Sequence, residues 1–101
     1  MIDDLTVKIH EWAVYRNLHT ADPNKQMLKL IEEVGELATG IAKDNEWKIA
    51  DSIGDVYVVL TILSMQLGLN ISTCVENAYE EIKNRKGKMI KGVYVKEADL
   101  K

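Results

Sequence analysis

Apolar positions recur at three- and four-residue spacing through four stretches of this chain, and nothing before residue 88 alternates like a strand. The first stretch, residues 3–16, sets Leu5, Ile9, Trp12 and Ala13 on one side of a helix, Trp12 on its core stripe. A linker over residues 17–21 leads to Asp22-Pro23, an N-cap followed by proline at the first helical position. The second helix runs from there to about residue 43, with Met27, Leu30, Ile31, Val34, Leu37, Ala38 and Ile41 on one stripe. Asp44 and Asn45 break it. A third helix is predicted over residues 46–67, stopped by Gly68, and a fourth from Asn70 or Ser72 to about Lys86, stopped by Gly87. Beyond it, Val93-Tyr94-Val95 reads as a short strand or an extended arm. Four helices with short loops predict an all-α fold, an antiparallel four-helix bundle over residues 1–87 with a C-terminal arm over 88–101. The third helix is apolar almost all round from residue 56 to 67. A bundle helix normally keeps one wet face, so a second buried face predicts a homo-oligomer, a homodimer or homotetramer.

Composition narrows the class. The chain has 101 residues, 47% of them apolar, which is enough for one packed domain and excludes a disordered chain. The apolar run over residues 56–69 is interrupted by Thr61, Ser64 and Gln66 and falls short of the roughly 20 residues that cross a bilayer. The acidic start, Met1-Ile2-Asp3-Asp4, predicts no secretory signal, and the lone Cys74 fits a reducing compartment; a cytoplasmic protein is expected. The net charge is −3, unevenly spread: residues 1–82 carry six basic and fourteen acidic side chains, residues 83–101 seven basic and two acidic. An acidic body argues against a nucleic-acid polymer as partner. The basic end suits either a solvated helix terminus or an anion held beside bound cations.

The second helix carries Glu32, Glu33 and Glu36. At 100° per residue, Glu33 and Glu36 lie about 60° apart and Glu32 about 40° from Glu36, one crowded face of like charge. Such a cluster is a solvated acidic face unless something faces it. On the third helix Asp51 and Asp55 continue the apolar stripe of Val58, Ile62 and Met65, where a carboxylate is costly unless paired or metal-bound. If the two helices are antiparallel neighbours, five carboxylates converge, an all-oxygen set suited to Mg²⁺ or Mn²⁺.

Glu32-Glu33-Val34-Gly35-Glu36-Leu37, followed by Gly54-Asp55 and an apolar helix, resembles the MazG-like nucleoside triphosphate pyrophosphohydrolases of the all-α NTP pyrophosphatase superfamily. Their signature is EExxE, a spacer, then ExxD, and the resemblance covers roughly residues 10–87. It implies hydrolysis of a nucleoside triphosphate to the monophosphate and pyrophosphate, in an oligomer, with Mg²⁺ held by Glu33, Glu36 and Asp55. Asp51 is the expected fourth ligand, directly or through a water, the alternative being a site with fewer or more weakly held metals; Glu32 is expected to hold a second metal or serve as general base. The segment Lys83-Asn84-Arg85-Lys86-Gly87 resembles the family's Asn-plus-basic segment, which implies that Lys83, Asn84 and Arg85 meet the substrate phosphates. One position departs: where the family's ExxD begins with Glu, this chain has Ser52, with Asp51 beside it.

Two other functions stay open on the sequence. One is a related activity such as phosphoribosyl-ATP pyrophosphatase. The other is a catalytically weakened bundle that binds nucleotides or a protein partner, marked by Ser52. His10 and His19 are isolated and read as structural, Lys29 as an ion-pair partner of Glu33, and Cys74 as a small buried residue.

Overall fold

Each helix starts where a short polar side chain can accept from its first free N–H groups. The computed structural model describes residues 3–100; Met1, Ile2 and Lys101, which fall in the predicted domain, its N-terminal reading and the arm, lie outside the described residues. Asp3 caps α1 (Asp4–Tyr15), accepting from Thr6 N at 2.8 Å. A single 3₁₀ turn, Leu18–Thr20, follows, pinned to the bundle by Gln66 Nε2 donating to the Leu18 carbonyl at 2.9 Å. Asp22 caps α2 (Pro23–Ala42), whose first residue is the proline, and Asn45 caps α3 (Glu46–Gln66). Asn70 caps α4 (Ile71–Ile82), after Gly68 has turned the chain with φ 73°.

The α2–α3 corner is tight for a definable reason. Asp44 takes a left-handed φ of 50° and Asn45 N donates to the Gly40 carbonyl at 3.0 Å. A Cβ on Gly40 would lie 3.3 Å from the backbone nitrogen of Ile49, so the missing side chain lets α3 close onto α2. The two helices then pack antiparallel along their length, with α1 and the 3₁₀ turn laid against α3.

One predicted boundary moves, and the strand predicted at Val93-Tyr94-Val95 gains a partner. α4 ends at Ile82, short of Lys86, because the chain leaves the helix to enter a hairpin: Lys83 is its C-cap and Arg85 N donates to the Ile82 carbonyl at 2.9 Å. The arm is a two-stranded antiparallel ribbon, β1 (Gly87–Ile90) paired with β2 (Val93–Lys96), Gly87 opposite Lys96. Lys91 and Gly92, at φ 50° and 81°, supply the two consecutive positive φ values that a two-residue hairpin turn needs.

The core is narrow. Ala13, Val59, Ile62, Leu63 and Ile71 are its buried apolar residues among those described, joined by Thr6, Ser52, Thr61 and Ser64. α4 meets the C-terminal half of α3, across a groove lined by Leu60, Leu63, Leu67, Cys74 and Val75. A single chain therefore supplies the four helices without closing the predicted bundle. Its radius of gyration, 16.3 Å, exceeds the ~13 Å of a compact chain this long. Val75 (55% exposed), Tyr79 and Ile82 on α4 and Ile53 and Leu67 on α3 keep their apolar surface outside. Trp12, expected in the core, is 47% exposed, because α1 packs on α3 through Thr6 and Ala13 instead. By length and composition α3 is apolar enough to cross a bilayer, which the 56–69 run alone is not; a third of that helix is buried within this chain.

Candidate functional site

Antiparallel packing brings the middle of α2 against the middle of α3. Glu33 and Asp55 line one cleft of about 560 Å³ between them, together with Trp12, Lys25, Lys29 and Val58. Glu33 is only 7% exposed. Its Oε1 lies 3.2 Å from Lys29 Nζ one turn earlier, the predicted ion pair, and its Oε2 is buried without a hydrogen-bond partner among the described residues. A buried carboxylate oxygen left unmatched costs free energy that a fold retains only where something else compensates.

Asp55 feels the same crowding. Burial pushes its carboxyl above the usual carboxylate range, and the negative charges of Asp51, Glu33 and Glu36 push it the same way. Asp51 stands one turn earlier on α3 and is exposed. Lys29 is raised in turn by its hydrogen bond to Glu33 and by the charges of Glu33, Glu32 and Glu36. Charges from both helices thus converge on Asp55, and the acidic run of α2 is not simply a solvated face. Glu32 is the outward member, 68% exposed in its side chain and 4.0 Å from Lys29 Nζ.

Among the described residues, no three of these carboxylates close on a single point; like charges stand apart and Lys29 occupies one Glu33 oxygen. The donor set nonetheless fits a hard divalent cation: all oxygen, partly buried, mutually repelling, with the Glu33 Oε2 unmatched. Ser52 is 2% exposed, turned into the packed side of α3, so the neighbouring Asp51 is the carboxylate that reaches Asp55.

Lys83, Asn84 and Arg85 stand elsewhere in the chain. Lys83 Nζ pairs with Glu80 at 2.7 Å, and Asn84 and Arg85 line a separate surface cleft with Lys86, Lys96 and Glu97. The cations that do line the carboxylate cleft are Lys25 and Lys29. Their four-residue spacing, continued by Glu33, marks one ridge of α2 and was a signal available in the sequence. Trp12, placed on the core stripe of α1 by its spacing, walls the cleft instead, with the Arg16 guanidinium 4.3 Å from its ring centre. A second, apolar cleft of about 780 Å³ adjoins, lined by Leu5, Ile9, Ile53, Tyr57 and the same Trp12 and Val58. His10 and His19 line neither cleft, and Cys74 is half-buried between α3 and α4.

Residues 21–90, which hold the five carboxylates of α2 and α3 described above, match the profile of the MazG nucleotide pyrophosphohydrolase domain. The chain belongs to that family. It is also similar to an uncharacterized 18.2 kDa protein from the rep-hol intergenic region of Haemophilus phage HP1, 47% identical over 66 residues. That match takes in 64% of this chain but only 40% of the phage protein, so the chain spans well under half of that relative. No solved structure gives a significant match. Glu32, Glu33 and Glu36 on α2 and Asp51, Ser52 and Asp55 on α3 all fall inside the matched residues.

Proposed function

We propose that this MazG-family chain hydrolyses nucleoside triphosphates between the α and β phosphates, releasing the monophosphate and pyrophosphate, with Mg²⁺ (or Mn²⁺) as cofactor. The observation that carries the reading is that Glu33, buried with its Oε2 unmatched among the described residues, lines one cleft with the charge-crowded Asp55. Glu33, Glu36, Asp55 and Asp51 would hold the cation, and Glu32 a second one unless it serves as general base. Bound there, the cation supplies charge neutralisation of the triphosphate and a lower pKa for the attacking water.

The chain's own groups do the rest. Lys25 and Lys29 lie along the cleft wall and attract the polyphosphate, while Glu32, exposed beside them, is free to take a proton from water. Lys83, Asn84 and Arg85 would grip the phosphates from a second copy of the chain. A homodimer or homotetramer covers the apolar faces of α3 and α4 and offers them that route. The reaction belongs to the cytoplasm, where nucleoside triphosphates are abundant.

Incubation with a panel of (d)NTPs and phosphoribosyl-ATP, with Mg²⁺, Mn²⁺ or EDTA, tests this. Monophosphate and pyrophosphate that vanish with EDTA and in Glu36→Gln, at unchanged helicity, are expected; full activity in Glu36→Gln refutes the site. The buried Ser52 favours one second reading, a domain that binds nucleotides without turnover. Metal-dependent thermal stabilisation with no product from any substrate would select it.

A further inference from the structure

The apolar cleft between α1 and α3 is not used by the chemistry above, yet it adjoins the carboxylate cleft: Trp12 and Val58 wall both. A ligand with a polyanionic tail beside Lys25, Lys29 and Glu33 has this cleft next in line for its other end. The walls are Leu5, Ile9, Ile53 and two aromatic rings, with Gly54 leaving open space. A flat, weakly hydrated head fits such a slot.

The polar groups at this cleft have a fixed polarity. Thr6 Oγ lies 2.8 Å from Asp3 Oδ1 and 2.6 Å from the Tyr57 hydroxyl, a chain linking the cap of α1 to the middle of α3. Thr6 is 1% exposed, so water does not reach its hydroxyl and its two partners there are Asp3 and Tyr57. Asp3 also accepts from Thr6 N, and the two bonds hold its carboxyl below the usual range, in the form that only accepts. The Thr6 hydroxyl therefore donates its one proton to Asp3, and the Tyr57 hydroxyl must donate to Thr6. Both lining residues, Asp3 and Tyr57, then present only lone pairs to the cleft. Lys8, also on the lining, is a donor close by.

We infer that the apolar cleft seats the nucleobase and that Asp3 and Tyr57 select bases carrying an exocyclic amine, as cytosine and adenine do. An amine offers two N–H groups to two acceptors, and Lys8 suits the ring nitrogen next to it. A carbonyl at that edge would face lone pairs. The inference rests on the nucleotide reading above and specifies which substrates that site takes.

The test is isothermal titration, in Mg²⁺, of two non-cleavable α,β-methylene triphosphates, one with cytosine and one with the same ring lacking the 4-amino group. Wild type, Tyr57→Phe and Asp3→Asn are compared; asparagine keeps the helix cap, and circular dichroism checks the fold of both variants. Wild type should bind the amine-bearing ligand about ten-fold more tightly, and the ratio should fall towards one in each variant. Equal binding by wild type, a ratio unchanged in both variants, or no binding of either ligand overturns the inference. Loss of amine dependence together with an oligomer that Ile53→Glu dissociates would assign the cleft to a second copy, which also overturns it. Amine selectivity without cleavage of any natural triphosphate would refute the hydrolase and leave this inference standing; cleavage without selectivity does the reverse.

Discussion

Replacing Glu33 by methionine should stabilise the protein while destroying its site. Two effects compete. The change removes the pair with Lys29, whose own side chain is 54% exposed, and an i,i+4 pair of this kind is worth ~0.3–0.5 kcal/mol. It also removes a carboxylate that is 7% exposed with Oε2 unmatched; leaving such a buried group unsatisfied costs ~1–3 kcal/mol. Methionine has nearly the same reach and an adaptable apolar end, so no cavity opens. The second effect wins, and relief of the repulsion on Asp55 adds to it. A net gain of about 1 kcal/mol is expected in EDTA, a rise in Tm of roughly 4–8 °C for a domain this size. The assay is thermal unfolding by circular dichroism at one fixed protein concentration, repeated across a Mg²⁺ titration. Wild type should gain stability with the metal, about 2.7 kcal/mol at a hundred times Kd, and Glu33→Met should gain little. A variant that melts well below wild type in EDTA, or one that keeps the full Mg²⁺ response, would refute the reasoning and make Glu33 a structural residue.

Three further outcomes follow from particular residues. Asp3 is held in its ionised form by Thr6, so its native pKa is depressed and its stabilisation is present above the ordinary value of 3.8 and lost as pH falls through the native one. Asp3→Ala should lower Tm at pH 7, with the gap to wild type narrowing as the pH drops below 3.8; a gap independent of pH would sink the argument. Gly35 sits exposed in α2 with nothing within 4 Å of where a Cβ would be, so Gly35→Ala should add ~0.5–1 kcal/mol in chemical denaturation. An unchanged or lower stability would show that the helix needs the glycine. Sedimentation should give a mass at least twice 11.4 kDa, reduced to the monomer by Leu60→Glu with Val75→Glu, two partly exposed apolar residues of the α3–α4 groove. A wild-type monomer would mean that those faces stay wet.

Some of this architecture was legible because it depends on neighbours in the chain. The caps Asp22, Asn45 and Asn70, proline at the first turn of α2, and Gly68 after α3 act within a few residues, so helix starts and stops could be read directly. The Lys29–Glu33 pair obeys the same local geometry. The end of α4 was missed because Gly87 stops a strand's neighbour as readily as a helix. A Cβ on Gly87 would run into the Val95 carbonyl, so glycine is there for the ribbon.

By itself, the sequence determined the all-helical class, the order of elements and which residue types could bear the chemistry, because periodicity and capping are properties of a single segment. Only the tertiary structure decided which of those groups meet. The hairpin after α4 takes Asn84 and Arg85 to another surface, while burial of Glu33, the crowding of Asp55 by Glu33 and Glu36, and the inward turn of Ser52 depend on how α2 and α3 face each other. So does the direction of the Tyr57 hydroxyl, set through a residue 51 positions away. A helix's period fixes the angle between two of its side chains, but not what that angle faces, and desolvation is a property of what lies opposite.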